Sequence, residues 1–439
     1  MNDIHRAEQA EFKAIAEETL ELLKSLGATG AHLSVSRSQN DELNLDAGKF
    51  SLVRTTISSS ISINAFIGNK YGNAGTNTLD KTAIEKAARD AVASAELSEP
   101  DDANAIAPGI GEHEYVFVEE EVDLGRVYDR VTEFLADTKK EFPLIDFVQF
   151  IASFTSSGSY YANSNGTRVY TAGTGYTGGG TVCARDGERV SSMSGVGFTD
   201  RHLDKPIIDY PENRRTLGEL ERQIETVPYE GKTVGTILMP AGIAQEFIGY
   251  IVGNCLGNGA LVAGISPWRD KIGEKVTDEK FSFVFDRADK RLKDFSPVTN
   301  DGYIAEKQVI IENGILKSFA LSQYGALKTG LPRATDTSCY IVEGGETPLD
   351  EIIAGIENGI LMNRFSGGSP TPDGTFSGVA KNSFRIADGK IAEAVSETMV
   401  SGNFLEMFNN IIAISRETIE DGSNVMPWIA VSGVTISGK

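Results

Sequence analysis

The sequence predicts an α+β protein in which N-terminal mixed helix and sheet units are followed by a β-rich C-terminal domain with a central helix. Three observations favour this class. Helical patterns alternate with strand-like runs in the first half. Asn-Gly and Asp-Gly turns separate strand-like runs in the second half. A chain of 439 residues is also long enough for two or three domains. We place the units at residues 1–97, 113–228 and 229–439, with a linker at residues 98–112.

The first unit is predicted as a helix, a sheet layer and a second helix. Apolar residues recur at helical spacing in Ala7–Leu26, and Gly27 is well placed to end this helix. A polar cap followed by a second helical pattern covers Asp80–Ala95. The segment Ser98–Glu112 combines Pro, Gly and acidic residues without periodicity, which predicts the linker. The strands expected between the two helices are His32–Ser38, Glu42–Asp46 and Ile57–Ile67.

The middle unit again mixes helix and sheet. Val122–Phe142 has apolar residues on one helical face, and Asp146–Thr155 is strand-like. The pair Asn165-Gly166 marks a hairpin, because these residues tolerate the positive φ values of a primed turn. Prolines and many charged residues up to Lys232 indicate the next boundary.

The C-terminal domain begins with a strand-to-helix junction, a place where active-site groups are often found. The apolar run Val234–Met239 predicts a strand, and the following helix carries Gln245, Glu246 and Tyr250. Later elements are hairpins at Asn313-Gly314 and Asp388-Gly389, a helix within Met399–Ser415 and a last strand at Ile429–Ile436.

Composition excludes several classes of protein. The formal net charge of -21 opposes binding to phosphate backbones, so we expect no nucleic-acid partner. Three distant cysteines fit a reducing compartment without a disulfide framework. The N-terminus lacks an apolar signal region, and no run of ~18 apolar residues occurs. We therefore expect a cytoplasmic protein with no membrane segment.

Local motifs for other chemistries are weak. The pattern Gly173-x-Gly175-x-x-Gly178 matches a dinucleotide fingerprint but is followed by a strand-like run rather than a helix. His113-Glu114 has no second histidine at metal-ligand spacing. Neither Ser194 nor Ser377 lies in a nucleophile elbow, and Cys255 and Cys339 are read as small apolar groups. None of these residues is a candidate catalytic group.

The sequence Gln245–Tyr250, QEFIGY, resembles the TldD/PmbA family, whose members are long labelled modulators of DNA gyrase. The resemblance covers nearly the whole chain, and its segments are specific when taken together. The other segments that carry it are Asn163–Gly166, Gly264–Ser266, Lys271–Val276, Asp373–Gly378, Ser401–Phe404 and Gly433–Lys439.

The resemblance implies a degenerate metal motif. In the TldD half of the family, a His-Glu-x-x-x-His motif and a cysteine near the C-terminus hold a metal for peptide hydrolysis. Gln245 and Tyr250 stand at the two histidine positions, and no cysteine lies beyond Cys339. Glu246 matches the family's acid/base glutamate and is interpreted as a remnant of the catalytic site. We therefore expect no metal in this chain, with zinc in a TldD-like partner.

Ligand chemistry points the same way. A neutral amide and a phenol with a pKa near 10 are poor zinc ligands at pH 7. Positions five residues apart also lie ~140° apart around an ideal helix. The side chains of Gln245 and Tyr250 would converge only in a distorted turn, which Gly249 would permit.

The resemblance implies a PmbA (TldE)-like subunit of a cytoplasmic two-subunit metallopeptidase that acts on unstructured polypeptides or small peptides. A β-rich wall would hold an extended peptide by strand addition. Two alternatives stay open. One is a stand-alone homodimer that binds a peptide or small molecule in the same cleft. The other is a metal-independent hydrolase that uses Glu246 and Tyr250 as acid and base.

Overall fold

The structure is a computed structural model that describes residues 3–117, 122–293, 297–334, 338–396 and 398–438. Lys439, the last residue of the C-terminal segment that carries the resemblance, lies outside the described residues. Helices and strands are mixed along the chain, and the strands form two separate large sheets. This arrangement confirms the predicted α+β class.

The N-terminal sheet is formed by long antiparallel strands, with α1 and α2 packed against it. Its strand order is β3-β2-β1-β5-β6-β4, with β7 and β8 also paired to β6. The elements are α1 (Asp3–Ser25), β1 (Gly30–Asp46), β2 (Lys49–Ile67), β3 (Lys70–Thr76), α2 (Lys81–Leu97), β4 (Glu112–Phe117), α3 (Leu124–Glu141), β5 (Ile145–Asn163), β6 (Arg168–Asp186), β7 (Arg189–Val190), β8 (Ser194–Asp200) and α4 (Asn213–Arg222).

Alternation along these strands separates a buried face from a polar face. Leu33, Val35, Ile61 and Ile63 are buried with the apolar side chains of α1 and α2, as expected for a period of two residues. A second cluster buries Leu43 and further strand residues with α3 and α4. The helices α1 to α4 therefore cover one face of the sheet and leave the serine-rich face of β1 and β2 uncovered by these four helices.

The C-terminal domain contains the larger sheet, with β22 and β10 at its centre. Its main strand order is β13-β12-β11-β14-β22-β10-β15-β18-β19-β9, with β16, β17, β20 and β21 attached. The elements are β9 (Val227–Pro228), β10 (Lys232–Met239), α5 (Ala241–Ile251), a π-helical turn (Val252–Leu256), α6 (Asn258–Val262), β11 (Phe283–Phe285), β12 (Gln308–Glu312), β13 (Ile315–Leu316), α7 (Gln323–Thr329), β14 (Tyr340–Ile341), α8 (Leu349–Ala354), β15 (Asn358–Leu361), β16 (Arg364–Gly367), β17 (Thr375–Lys381), β18 (Ser383–Ala387), β19 (Lys390–Ser396), β20 (Thr398–Asn403), α9 (Phe404–Asn409), β21 (Ile411–Glu420) and β22 (Val425–Ser437).

The predicted hairpins are confirmed. Asn165-Gly166 connects β5 to β6, Asn313-Gly314 connects β12 to β13, and Asp388-Gly389 connects β18 to β19. Both residues of the last two turns have positive φ, as a type I′ turn requires. Turn chemistry therefore located these connections correctly.

The predicted helix within Met399–Ser415 is wrong in its extent. The helix α9 spans only Phe404–Asn409, and Ile411 already belongs to β21. Strand β21 pairs antiparallel with β22, so tertiary pairing outweighs the helical periodicity of a short apolar run. The strands His32–Ser38 and Glu42–Asp46 likewise form one continuous strand, β1.

The division of residues 1–228 into two units stays a prediction, although both contribute strands to one sheet. The segment predicted as a linker contains no helix or strand until β4 begins at Glu112. It nevertheless packs against the rest of the protein. The backbone N–H of Asp101 donates to the carbonyl of Asn69 at 3.0 Å, and the Asp101 side chain contacts the C-terminal domain.

Candidate functional site

The residues predicted to form a degenerate motif lie on α5, directly after a central strand of the larger sheet. Ile237, Leu238 and Met239 at the end of β10 are fully buried, which fixes the point at which the helix begins. Pro240 caps the helix, and its carbonyl accepts hydrogen bonds from the N–H groups of Ile243 and Ala244. This geometry confirms the predicted strand-to-helix junction and the central helix.

One stripe of α5 remains accessible. The other face buries Ala241, Ile243, Ala244, Phe247, Ile248 and Ile251. Gln245, Glu246, Gly249 and Tyr250 are half-buried on the opposite side. This spacing of three and four residues is that of a single helical face. The motif side chains are therefore presented beside the core rather than within it.

Glu246 and Tyr250 form a hydrogen-bonded pair. The Tyr250 hydroxyl donates to Oε1 of Glu246 at 2.7 Å, because residues four apart lie one above the other on a helix. Burial, followed by the hydrogen bond to Glu246, raises the pKa of Tyr250 to about 12. The phenol is therefore protonated at neutral pH and acts as the donor.

Gln245 is not part of this pair. It lies on the adjacent part of the accessible stripe and makes no side-chain hydrogen bond to a described residue. The helix is regular through Ile251, and the π-helical turn begins only at Val252. The turn between Gln245 and Tyr250 is therefore undistorted, and Gly249 does not bend it.

The fold brings several of the resemblance segments together around α5. The ring of Phe247 contacts Phe376 of β17 at 5.1 Å between centroids, and Tyr250 faces Phe404 at 6.5 Å. Asn403 caps α9 by accepting from the N–H groups of Leu405 and Glu406. Segment 373–378 thus packs on the buried face of α5, and segment 401–404 approaches Tyr250, whereas Asn163 lies in the N-terminal sheet.

The donor set on α5 does not fit a zinc ion. Glu246 has the one carboxylate of the motif, and that carboxylate accepts a hydrogen bond from the Tyr250 hydroxyl. Within the described ranges, no three His, Cys, Asp or Glu side chains form a metal-binding group. The nearest cysteine in sequence, Cys255, is fully buried, and burial raises the pKa of its thiol to about 12. Zinc requires thiolate, imidazole or carboxylate donors that converge.

The remaining motif residues occupy structural positions. Gly173 and Gly178 lie within β6, with no helix after them, so they form no dinucleotide turn. Ser194 begins β8, and Ser377 lies in the middle of β17. A ring nitrogen of His113 contacts the carbonyl of Ile110 at 2.8 Å.

Sequence reasoning missed a cavity in front of the polar face of the N-terminal sheet. Its lining combines β1, β2 and β5 with residues 98–105, 298–301 and 322–324. These segments are far apart in sequence, so no local motif marks them. The available signal was the alternation of serines, at 34, 36 and 38 in β1 and at 58, 60 and 62 in β2.

Two family models match the chain. Residues 231–438 match the PmbA/TldA metallopeptidase C-terminal domain, and residues 31–95 match PmbA/TldA metallopeptidase domain 1. The chain belongs to the TldD/PmbA family. The predicted resemblance is therefore confirmed.

Relatives within the family carry metalloprotease names. The metalloprotease PmbA homologue of Haemophilus influenzae is 23% identical over 98% of this chain and 97% of its own length. Metalloproteases of Methanothermobacter thermautotrophicus and Archaeoglobus fulgidus are 30% and 29% identical, but those alignments cover only 41% and 45% of the relatives' own lengths. This chain thus matches less than half of each of these two proteins.

Solved structures show the same fold. TldE from Thermococcus kodakarensis superimposes with a TM-score of 0.86 at 18% identity, covering 97% of this chain and 100% of that one. A protein described as a modulator of DNA gyrase from Bacteroides thetaiotaomicron gives a TM-score of 0.82 at 21% identity, covering 98% and 99%. In the part of the chain that the structure describes, no helix is long and apolar enough to cross a membrane.

Proposed function

We propose that this chain is the non-catalytic, PmbA/TldE-like subunit of a cytoplasmic two-subunit zinc metallopeptidase. A TldD-like companion chain would supply the zinc and the hydrolytic water. This subunit would shape the chamber that holds unstructured polypeptides or small peptides. The proposal includes the absence of zinc from this chain.

The observation that carries the proposal is the pairing of Glu246 with Tyr250. A carboxylate that is to activate a metal-bound water needs a free oxygen beside the metal. Here one Glu246 oxygen accepts the Tyr250 hydroxyl, and Tyr250 stands at a ligand position of the motif. The protein thus keeps the helix and its glutamate while the residue at a metal-ligand position bonds to that glutamate.

Family membership supports the division of labour. The chain has relatives named both PmbA homologue and TldD homologue, and its fold is that of a TldE. A fold that is retained after its metal ligands are replaced still provides shape and binding surface. Strand edges in a β-rich domain would bind extended peptides through main-chain hydrogen bonds.

The test is to purify the full chain alone and together with a TldD-like chain that has an intact His-Glu-x-x-x-His motif. Zinc is measured by mass spectrometry, and hydrolysis is measured with fluorescently labelled casein. We expect a stable complex in which only the TldD-like chain binds zinc, and in which Glu246→Gln leaves hydrolysis unchanged.

Other outcomes would favour the remaining alternatives. A stable homodimer that does not bind the TldD-like chain would favour a stand-alone binding protein. Hydrolysis by the zinc-free chain alone, abolished by Glu246→Gln, would point to acid-base catalysis by Glu246 and Tyr250.

A further inference from the structure

A cavity of approximately 970 Å³ lies between the N-terminal sheet and the C-terminal domain. One wall is the polar face of β1, β2 and β5. The opposite wall is formed by segments 298–301 and 322–324. Gln245, Glu246 and Tyr250 do not line it, so the cavity is distinct from the degenerate motif. Its volume lies at the upper end of the range typical of small-molecule sites.

Hydroxyl groups form an ordered array on the sheet wall. Ser34 is paired with Ser62 on one side and with Tyr161 on the other. One row further along the sheet, Ser159 is paired with Thr171. Cβ atoms in such antiparallel pairs are about 5 Å apart. The array therefore presents hydroxyls at a regular spacing to the cavity.

These hydroxyls retain hydrogen-bonding capacity. The side chains of Ser34, Ser62, Ser159 and Thr171 bond to no residue that the structure describes. The Tyr161 hydroxyl is buried and likewise has no partner there. A buried polar group without a partner costs free energy comparable to a lost hydrogen bond. The hydroxyls of Ser34, Ser62, Ser159 and Thr171 are half-buried or exposed, so a ligand could bond to them in place of water.

A chain of hydrogen bonds orients His32 in the same wall. The Tyr71 hydroxyl donates to Oδ1 of Asn64 at 2.6 Å, and Nδ2 of Asn64 lies 3.5 Å from Nδ1 of His32. The amide oxygen of Asn64 accepts the hydrogen bond from Tyr71. The amide nitrogen of Asn64 therefore donates a hydrogen bond to Nδ1 of His32, which accepts it. Burial lowers the pKa of His32 to about 4, so the neutral ring carries its proton on Nε2. His32 therefore adds a ring N–H donor to the hydroxyl groups of the array.

Of the three carboxylates that line the cavity, Asp101 and Asp301 are paired and Glu99 is exposed. Asp301 accepts from Arg333 at 3.1 Å. Asp101 accepts from Lys328 at 2.8 Å and from Tyr324 at 3.0 Å. No described lysine or arginine lines the cavity. A phosphate or carboxylate would thus find no free cation, and an ammonium group could pair only with the exposed Glu99 unless it displaced Lys328 or Arg333.

We propose that this cavity binds a small, uncharged, polyhydroxylated ligand of the sugar or polyol class. Each hydroxyl of such a ligand both donates and accepts, which matches the serine and threonine hydroxyls of the wall. The rings of Phe66 and Tyr71, which also line the cavity, would pack against its C–H groups. This binding is independent of the proposed role as a peptidase subunit.

The experiment is saturation-transfer NMR on the full chain with glucose, maltose and xylitol. Spermidine and acetate serve as charged probes. We expect saturation transfer to at least one uncharged probe, and affinity for it that falls about fivefold in Ser34→Ala and in Ser159→Ala, the effect of one lost hydrogen bond. Ser58→Ala is the matched control, because Ser58 lies on β2 outside the cavity and should leave the affinity unchanged.

Three results would overturn the proposal. They are the absence of transfer to every uncharged probe, stronger binding of spermidine or acetate, and equal affinity in Ser34→Ala and the wild type. Thermal melts of each variant show that the protein is folded. Zinc content and casein hydrolysis are measured separately, so failure here is distinguishable from failure of the proposed function.

Discussion

Glu246 and Tyr250 lie one helical turn apart, and the hydrogen bond between them determines what the motif can do. The phenol is a protonated donor, because burial and the neighbouring carboxylate raise its pKa to about 12. The carboxylate therefore has a fixed partner inside its own helix. At this scale, Tyr250 is the hydrogen-bond partner of the glutamate, and its place at a former metal-ligand position stays a prediction.

Removing the Tyr250 hydroxyl should reduce stability. We expect Tyr250→Phe to lower the free energy of unfolding by about 1 kcal/mol, the value of one hydrogen bond to a half-buried group. Urea denaturation measures the change. Gln245→Ala is the control, because Gln245 lies on the same stripe and its side chain makes no hydrogen bond to a described residue. A Tyr250→Phe variant as stable as the wild type would mean that the pair contributes nothing in solution.

His32 should make stability depend on pH in a defined window. Its pKa is lowered from 6.5 to about 4 by burial, so the unfolded chain binds more protons between these values. The contribution of His32 to the free energy of unfolding is fully present above pH 6.5. It falls as the pH decreases to about 4 and does not change further below that pH. Its total is on the order of 3 kcal/mol.

The variant His32→Gln isolates this contribution. As the pH falls from 6.5 to 4, the free energy of unfolding measured with urea should decrease more steeply for the wild type than for the variant. Parallel curves for the two proteins across that window would show that His32 is not buried in its neutral form.

At the scale of the element, α5 is a regular helix in which Gly249 has no conformational role. A Cβ at Gly249 would meet no atom within 4 Å. We therefore expect Gly249→Ala to stabilise the protein by about 0.5–1 kcal/mol, because alanine loses less backbone entropy in a helix. Thermal unfolding measures this.

Gly72, unlike Gly249, has no room for a side chain. A Cβ at Gly72 in β3 would lie 2.2 Å from the backbone nitrogen of Ala95 in α2, so Gly72→Ala should lower the melting temperature. If Gly249→Ala also lowered it, Gly249 would have a structural role that the helix geometry does not show.

Elements with local chemistry were predictable, and those set by distant pairing were not. The turns at Asn313-Gly314 and Asp388-Gly389 were found because their positive φ values select these residues. The end of α9 was missed because Ile411 is apolar in either a helix or a strand, and its pairing with β22 decides the outcome.

The candidate site divides in the same way. The position of Glu246 on a helix after a buried strand followed from periodicity. The bond from Tyr250 did not, because a family motif states which residue is replaced but not what the replacement contacts. The cavity was beyond sequence reasoning, since His32, Tyr161 and Asp301 meet only through the tertiary fold.

At the scale of the whole molecule, residues 98–112 join the two halves through side chains as well as through the backbone. Asp101 bonds to Tyr324 and Lys328 of α7 in the C-terminal domain. Exposed ion pairs contribute little to global stability. The contacts of Asp101 do restrict the motion of residues 98–112, which have almost no secondary structure. Removing these contacts should therefore increase local opening of this segment.

Limited proteolysis tests this role. We expect Asp101→Ala to increase the rate of cleavage within residues 98–112 while leaving the melting temperature nearly unchanged. Glu393→Ala is the control, because Glu393 pairs with Arg385 inside the β18–β19 hairpin and should not affect this cleavage. Equal cleavage of Asp101→Ala and the wild type would show that the contact does not hold the segment.

The central claim is that this chain contributes a binding scaffold and that zinc chemistry belongs to its partner. The most direct measurement is the zinc content of the purified full chain alone, determined beside its activity on casein. The account predicts substoichiometric zinc and no hydrolysis, with both appearing when a TldD-like chain is added. One zinc ion per chain with hydrolysis by the chain alone would contradict it.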